Sequence, residues 1–183
     1  AALWAMKVTP KRNRRAPTGR PLQVFKEGYR YAFGSMPIRY CLLLMAVLNF
    51  MGMQYVVLMP VFAKDILHGG PHTLGFLIGA SGTGALITAL FLASRRSAVG
   101  LEKLIARALG FFGCTILVFA FSRNVTLSLI AMFFSGMGMM TVHAGANTII
   151  QTVVDEDKRG RVMSFHAMAT LGTMPFGSFL AGA

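Results

Sequence analysis

The sequence has little charge. Asp, Glu, Lys and Arg together make up 13% of its 183 residues, which is about half the share found in soluble domains. A soluble domain of this size needs more polar surface than that, so the composition argues against a chain surrounded by water. The charges are also clustered, because the segment "DEDKRGR" (155–161) stands between two long stretches that contain no Asp, Glu, Lys or Arg.

Cysteines and catalytic signatures are also scarce. The two cysteines, Cys41 and Cys114, lie inside apolar stretches, so they form no disulfide framework and are interpreted as small apolar residues. The sequence contains no phosphate-binding loop, no His, Cys and Glu group at metal-ligand spacing, and no Ser, His and acid arrangement for nucleophilic catalysis. We therefore predict no metal site, no cofactor and no enzymatic activity.

What the sequence does contain is five long apolar runs. A transmembrane helix needs about 20 such residues to cross the hydrocarbon core, whereas barrel strands alternate over about 10 residues. The runs are too long and too uniformly apolar for strands, so the sequence predicts an all-α, polytopic membrane protein, with the end of a preceding span at residues 1–8. The five predicted spans cover residues 40–62, 74–93, 104–121, 126–154 and 162–183.

The basic residues predict the orientation of these spans. If the segment after Val8 is cytoplasmic, 16 of the 18 Lys and Arg residues fall on the inner connections, and Lys64 and Arg123 fall on the outer ones. This is a strong positive-inside bias. It predicts an inner or plasma membrane protein with cytoplasmic loops at 9–39, 94–103 and 155–161. The net charge of +12 is then explained by topology, so the predicted partner is the lipid bilayer and not nucleic acid.

The longest inner loop, 9–39, has two different halves. Its first half is basic and rich in proline. In its second half, Leu22, Phe25, Tyr29 and Phe33 fall on nearly one helical face, which is typical of a short amphipathic helix lying on the membrane surface. A plain helical lead-in to the next span explains the same pattern, and the two interpretations stay open.

Three segments, "FKEGYRY", "MPVFAKDILH" and "RGRVMSF…PFGS", resemble the C-terminal half of major facilitator superfamily exporters. The likeness is to the branch that includes the enterobactin exporter and other drug- and siderophore-efflux proteins. It implies that 40–183 form a C-terminal half-bundle and that the N-terminal half of the same protein lies outside this sequence. It also implies proton-coupled export of small amphipathic organic compounds by alternating access.

Polar side chains inside the spans are candidates for the substrate pathway. His143, Asn147 and Gln151 are spaced by four residues and share one face of the fourth span. In the first span, Asn49 and Gln54 do not share one face, and Asn49 is the deeper of the two and the better candidate for lining a cavity. His143 is also able to take a proton, whereas His166, near the inner end of its run, is interpreted as interfacial. The alternative for the polar stripe is ordinary hydrogen bonding between helices.

Charged residues at the inner ends of the spans are candidates for a cytoplasmic gate, because inner-loop charge clusters hold the outward-facing state in similar proteins. Anchoring of the helix ends at the water boundary is the alternative role, since charge is costly in lipid. The candidates are Arg95, Arg96, Asp155, Glu156, Arg159 and Arg161.

The second span contains a small-residue pattern at Gly75, Gly79 and Gly84, which predicts close helix packing.

Two other functions are alternatives to export. The first is a membrane scaffold or sensor on the same fold, which would show a closed, apolar surface where the two halves meet. The second is an inactive truncated product, because five spans do not enclose a pathway between two halves.

Overall fold

The computed structural model describes residues 21–52, 54–95, 100–172, 175–176 and 179. Within that part of the chain every regular element is helical, so the predicted all-α fold is confirmed. The predicted span end at 1–8, the residues of loop 9–39 before Pro21, and Arg96 lie outside the described residues. The helices are α1 (Pro21–Gly34), α2 (Met36–Gly52), α3 (Gln54–Val61), a π-helical segment (Phe62–Ile66), α4 (Pro71–Ser94), α5 (Leu101–Phe121), α6 (Val125–Val153) and α7 (Glu156–Leu171).

The helix starts follow from local sequence. Pro71 occupies the first turn of α4, where its fixed φ suits the helix and its missing N–H is not needed. The side chain of Asn124 caps α6 by accepting a hydrogen bond of 2.8 Å from the backbone N–H of Thr126. Gly100 precedes α5 with a φ of 76°, a conformation that glycine adopts without strain.

Four stretches within the described residues are long and apolar enough to cross a membrane: Met36–Ile66, Pro71–Ser94, Leu101–Phe121 and Val125–Val153. The first three begin three or four residues before the apolar runs seen in the sequence. A helix continues through the polar headgroup region, whereas an apolar run marks only the part within hydrocarbon.

The start of α7 corrects the prediction for the segment 155–161. We expected a turn there and a span from Val162, but α7 begins at Glu156. Asp155 occupies the N-cap position, and Glu156 and Asp157 lie in the first turn, where negative charge is favoured by the helix dipole. The charged segment is therefore mostly helical. The predicted span 162–183 coincides with α7 as far as Leu171, and much of the remainder lies outside the described residues.

The first spanning stretch is also less regular than expected. In place of an α-helix over 40–62, α3 ends at Val61 and a π-helical segment follows at Phe62, while Met53, between α2 and α3, lies outside the described residues. Pro60 lies inside α3, where it has no backbone N–H to donate. The wider turn then closes with a bond of 3.1 Å from Leu67 N–H to Phe62 O.

At the centre of the bundle lies α6. It packs against α4, α5 and α2, while α7 packs more extensively against α2 and α1 than against α6. The outer faces of the other helices carry large apolar side chains, such as Phe76, Leu90 and Leu117, each at least 60% exposed. Exposing this much apolar surface to water is unfavourable, whereas contact with lipid is favourable. The described helices therefore have a lipid-facing exterior.

Candidate functional site

The polar stripe of α6 is only partly inside the bundle. His143 and Asn147 are half-buried and Gln151 is exposed. Nδ1 of His143 lies 3.2 Å from the carbonyl oxygen of Met139, one turn earlier in the same helix, so Nε2 is the ring nitrogen left for other partners. Gln151 lies two residues before the end of α6. The stripe therefore runs from the middle of the helix to its end at the α6–α7 junction.

Asn49 lies fully buried on α2. Its Nδ2 donates a hydrogen bond of 2.8 Å to the carbonyl oxygen of Met45, and its Oδ1 has no hydrogen-bond partner within the described residues. An unpaired buried amide oxygen costs about 1–3 kcal/mol. Asn49 is fully buried and is not among the residues that line the groove between α2 and α5, and its role in the substrate pathway stays a prediction.

On α7, His166 and Thr170 carry polar atoms outside the set of site residues predicted from the sequence. Nδ1 of His166 and Oγ1 of Thr170 are shielded from solvent and have no hydrogen-bond partner within the described residues. His166 also lies within electrostatic range of His143 on α6. α7 begins six residues before the apolar run and places His166 ten residues into the helix, and its interpretation as an interfacial residue stays a prediction.

The junction between α6 and α7 is held by contacts to α1. The Tyr31 hydroxyl donates a hydrogen bond of 3.1 Å to Asp155 Oδ2, and Lys158 Nζ lies 3.8 Å from the same oxygen. Lys158 Nζ also lies 4.1 Å from the centroid of the Tyr31 ring, a cation–π distance. Tyr31, Asp155 and Lys158 thus form a three-residue contact, which we call the junction cluster.

Of the predicted gate residues, Asp155 belongs to the junction cluster and Arg159 contacts the end of α6. Nη2 of Arg159 donates a hydrogen bond of 3.2 Å to the carbonyl oxygen of Gln151, which ties the first turn of α7 to the end of α6. Glu156 is exposed, and Arg161 and Arg95 are half-buried. Arg95 ends α4, at the loop to α5. Both the gate and the anchoring roles stay predictions.

Glycines let α4 and α6 approach very closely. A Cβ atom on Gly84 would overlap the carbonyl oxygen of Phe133, and a Cβ atom on Gly136 would overlap the carbonyl oxygen of Ser81. The contact is thus reciprocal between the two helices. A Cβ atom on Gly75 or Gly79, by contrast, would meet no other atom within 4 Å, so a packing role for these two glycines needs a neighbour from outside the described residues.

An open groove lies between α2 and α5. Its volume is about 390 Å³ and its lining is almost entirely apolar. The exception is Tyr55, whose hydroxyl donates to Met139 Sδ at 3.6 Å and lies close to the hydroxyls of Ser81 and Ser135. The groove is lined by Leu44, Val47, Leu48, Gly52, Tyr55, Leu109, Phe112, Gly113 and Ile116.

No group of three or more His, Cys, Asp or Glu side chains in the described ranges is placed to hold a metal ion. The chemistry available to the interior is therefore hydrogen bonding by imidazole, amide and hydroxyl groups set among apolar side chains.

Comparison with known proteins identifies the family. The model of the family described as "Transmembrane secretion effector" (MFS_3) matches residues 1–183. The chain belongs to this family of the major facilitator superfamily. The resemblance to that superfamily is thus confirmed. With four stretches among the described residues that are long and apolar enough to cross a membrane, the chain is part of a multi-pass membrane protein.

Among curated proteins, this MFS chain is similar to the uncharacterized MFS-type transporter YfmI of Bacillus subtilis (strain 168). The two are 25% identical over 147 residues, which cover 79% of this chain and 36% of YfmI. The chain thus spans little more than a third of that relative's length. No solved structure matches the chain significantly.

Proposed function

We propose that this chain is part of a secondary active transporter that exports small amphipathic organic compounds across the inner or plasma membrane. Membership of the family described as "Transmembrane secretion effector" supports transport. The observation that carries the proposal is the half-buried pair His143 and Asn147 on α6, the most central helix of an otherwise apolar bundle. Polar groups in such a place are the expected contacts of a transported solute.

Transport by alternating access needs a second half-bundle that rocks against this one. The chain covers 36% of YfmI, and we propose that the remaining half of the pathway belongs to the same native protein. The junction cluster would then lie at the cytoplasmic side and would move as one unit with α1.

Efflux of drugs or siderophores and coupling to protons are further parts of the proposal. The amphipathic character of the cargo agrees with an apolar groove of about 390 Å³ whose lining includes the hydroxyl-bearing Tyr55. No acid occurs in the middle of the described spans, so within this chain His143 is the residue proposed to carry a coupled proton.

The test uses the native gene product reconstituted in liposomes with an imposed pH gradient. We expect gradient-dependent movement of at least one dye from a panel of amphipathic fluorescent dyes of both charges. His143→Ala and Asn147→Ala should each slow this movement several-fold, whereas Thr148→Ala should not, because Thr148 is exposed and bonds only to the Ala144 carbonyl of its own helix. Fully incorporated protein that moves no dye would refute transport.

A membrane scaffold or sensor on the same fold is the alternative from a different class. It requires that the polar stripe serves helix packing alone. In that case the wild type would move no dye, and His143→Ala would only lower the thermal stability of the protein.

A further inference from the structure

The groove between α2 and α5 exists because these two helices do not pack closely on each other. Both pack against α6, whereas the described residues of α2 and α5 make few direct contacts with each other. The groove follows α2 from Leu44 to Gly52, over about 12 Å, and α5 from Leu109 to Ile116, over about 10 Å. It is therefore long and narrow, and it runs along the helices.

Nothing in the lining of this groove favours a polar occupant. The lining contains no charged side chain, and its polar group, the Tyr55 hydroxyl, already donates to Met139 Sδ. The buried side-chain atoms that lack a partner among the described residues belong to other positions. An extended peptide would leave backbone N–H and C=O groups unpaired in the groove, which is strongly unfavourable in lipid. The groove therefore fits a hydrocarbon.

The width of the groove distinguishes a hydrocarbon chain from a helix. A volume of about 390 Å³ over a length of about 12 Å gives a cross-section of roughly 30 Å². An α-helix with its side chains is about 10–12 Å in diameter, so its cross-section of roughly 80 Å² or more is too large. A single extended acyl chain is narrow enough to enter.

The groove is continuous with the lipid-facing exterior of the bundle. Val47 on its α2 side is 60% exposed, and Gly113 on its α5 side is also exposed. Arg39 and Tyr40 precede Leu44 by five and four residues, and the Arg39 guanidinium lies 5.3 Å from the centroid of the Tyr40 ring. Tyrosine and arginine are typical of the membrane–water interface. The groove therefore begins just below the level of the lipid headgroups.

We propose that the groove between α2 and α5 is a binding site for one acyl chain of a bilayer phospholipid. Lipid tails are as apolar as the groove, so the gain comes from van der Waals contacts that fill the space and not from the hydrophobic effect. Bilayer lipid surrounds the helices at high concentration, which favours it over a scarcer ligand by mass action.

This inference goes beyond the proposed transport function and does not depend on it. An amphipathic cargo that carries an alkyl chain would have to displace the lipid in order to use the same groove.

Two glycines of α5 supply matched variants for the test. A Cβ atom on Gly113 or on Gly110 would meet no neighbouring atom within 4 Å, and both glycines are exposed. Gly113 lines the groove, whereas Gly110 is not among the lining residues. A large side chain at position 113 should therefore fill the groove, and the same side chain at position 110 should project into the surrounding lipid.

The experiment measures phospholipid binding to the native gene product by native mass spectrometry, after the protein has been delipidated in mild detergent and titrated with a saturated phospholipid. We expect the wild type to retain a bound phospholipid. Gly113→Trp and Gly113→Leu should weaken this binding several-fold, whereas Gly110→Trp and Gly110→Leu should bind as the wild type does. Added phospholipid should also raise the melting temperature of the wild type more than that of Gly113→Trp, whose side chain already fills the space.

Three outcomes would overturn the lipid site. The first is equal phospholipid binding by the Gly113 and Gly110 variants. The second is a large fall in the melting temperature of both Gly113→Leu and Gly113→Trp, with both Gly110 variants unaffected, because this would mean that a further helix of the native protein covers the groove. The third is binding of an amphipathic dye that the Gly113 variants abolish, without any retained phospholipid in the wild type.

Discussion

The hydroxyl of Tyr31 donates a hydrogen bond of 3.1 Å to Oδ2 of Asp155, across 124 positions of the sequence. This bond joins α1, which precedes all the described spans, to the junction of α6 and α7. Lys158 strengthens the link, because its ammonium group lies near both the Asp155 carboxylate and the Tyr31 ring. Stacking of Tyr29 on Phe33 and its edge contact with Phe165 of α7 extend the interface. These contacts join α7 directly to α1.

We expect Tyr31→Phe to loosen α1 without unfolding the bundle. The variant keeps the ring and its contact with Lys158 but loses the hydrogen bond, and an exposed bond of this kind contributes about 1 kcal/mol or less. Limited trypsin digestion at the exposed Lys26 and Arg30 should become several-fold faster, while the melting temperature changes little. Tyr40→Phe, which changes an exposed tyrosine of α2, should digest at the wild-type rate; equal rates for both variants would contradict the link.

The α4–α6 crossing predicts that alanine substitution at two glycines only two residues apart changes the stability of the protein very differently. Gly84→Ala places a methyl group against the backbone carbonyl of Phe133, which must shift at a cost of about 1–3 kcal/mol. Gly82→Ala meets open space and should be neutral or stabilising by about 0.5–1 kcal/mol, because alanine favours the helix. Thermal unfolding of the purified protein in detergent measures both.

Gly136→Ala supplies the reciprocal test of the same crossing. It should destabilise as Gly84→Ala does, because its methyl group would meet the Ser81 backbone. Since both variants disturb one contact, the double variant should cost less than the sum of the two. A melting temperature at the wild-type value for Gly84→Ala or Gly136→Ala would mean that the helices are farther apart than described.

The spanning helices could be predicted from the sequence, because each is specified by its own run of residues. About 20 consecutive apolar residues are enough to specify a spanning helix, and the four spans follow directly. The π-helical segment after Pro60 was not predicted, since an apolar run does not show where an α-helix changes to a π-helical turn. The start of α7 at Glu156 was missed because charge suggests a loop, although acids are favourable in a first helical turn.

The candidate site depends on contacts between helices, which the residue pattern along a single helix does not show. Spacing placed His143 and Asn147 on a common face of α6, but it does not show that His166 of α7 lies within electrostatic range of His143. Glycine spacing likewise drew attention to Gly75 and Gly79, whereas the close contact forms at Gly84 and Gly136. Which small residue meets a neighbour depends on how two helices cross, and this is a property of the pair.

Two fully buried serines on α6 should respond in opposite ways to replacement by alanine. Ser128 Oγ donates a hydrogen bond of 2.9 Å to Ser122 Oγ, so Ser128→Ala should destabilise the protein by about 1 kcal/mol. Ser135 Oγ makes no hydrogen bond of good geometry within the described residues, and the Tyr55 hydroxyl near it donates to Met139 Sδ. Ser135→Ala therefore removes an unpaired buried hydroxyl and should be neutral or stabilising. Melting curves recorded side by side decide the point; a loss for Ser135→Ala equal to that for Ser128→Ala would indicate a bonded hydroxyl.

The orientation of α6 can be measured directly from its two ends. Arg123 and Asp157 are both exposed and flank this helix of 29 residues, which is about 43 Å long. In a background carrying Cys41→Ala and Cys114→Ala, a membrane-impermeant maleimide added to intact cells should label Arg123→Cys and leave Asp157→Cys unlabelled until the cells are opened. The expected pattern follows from the excess of Lys and Arg on the 155–161 side. The reverse pattern would place the junction cluster outside the cell, and labelling of both cysteines in intact cells would mean that α6 does not cross the membrane.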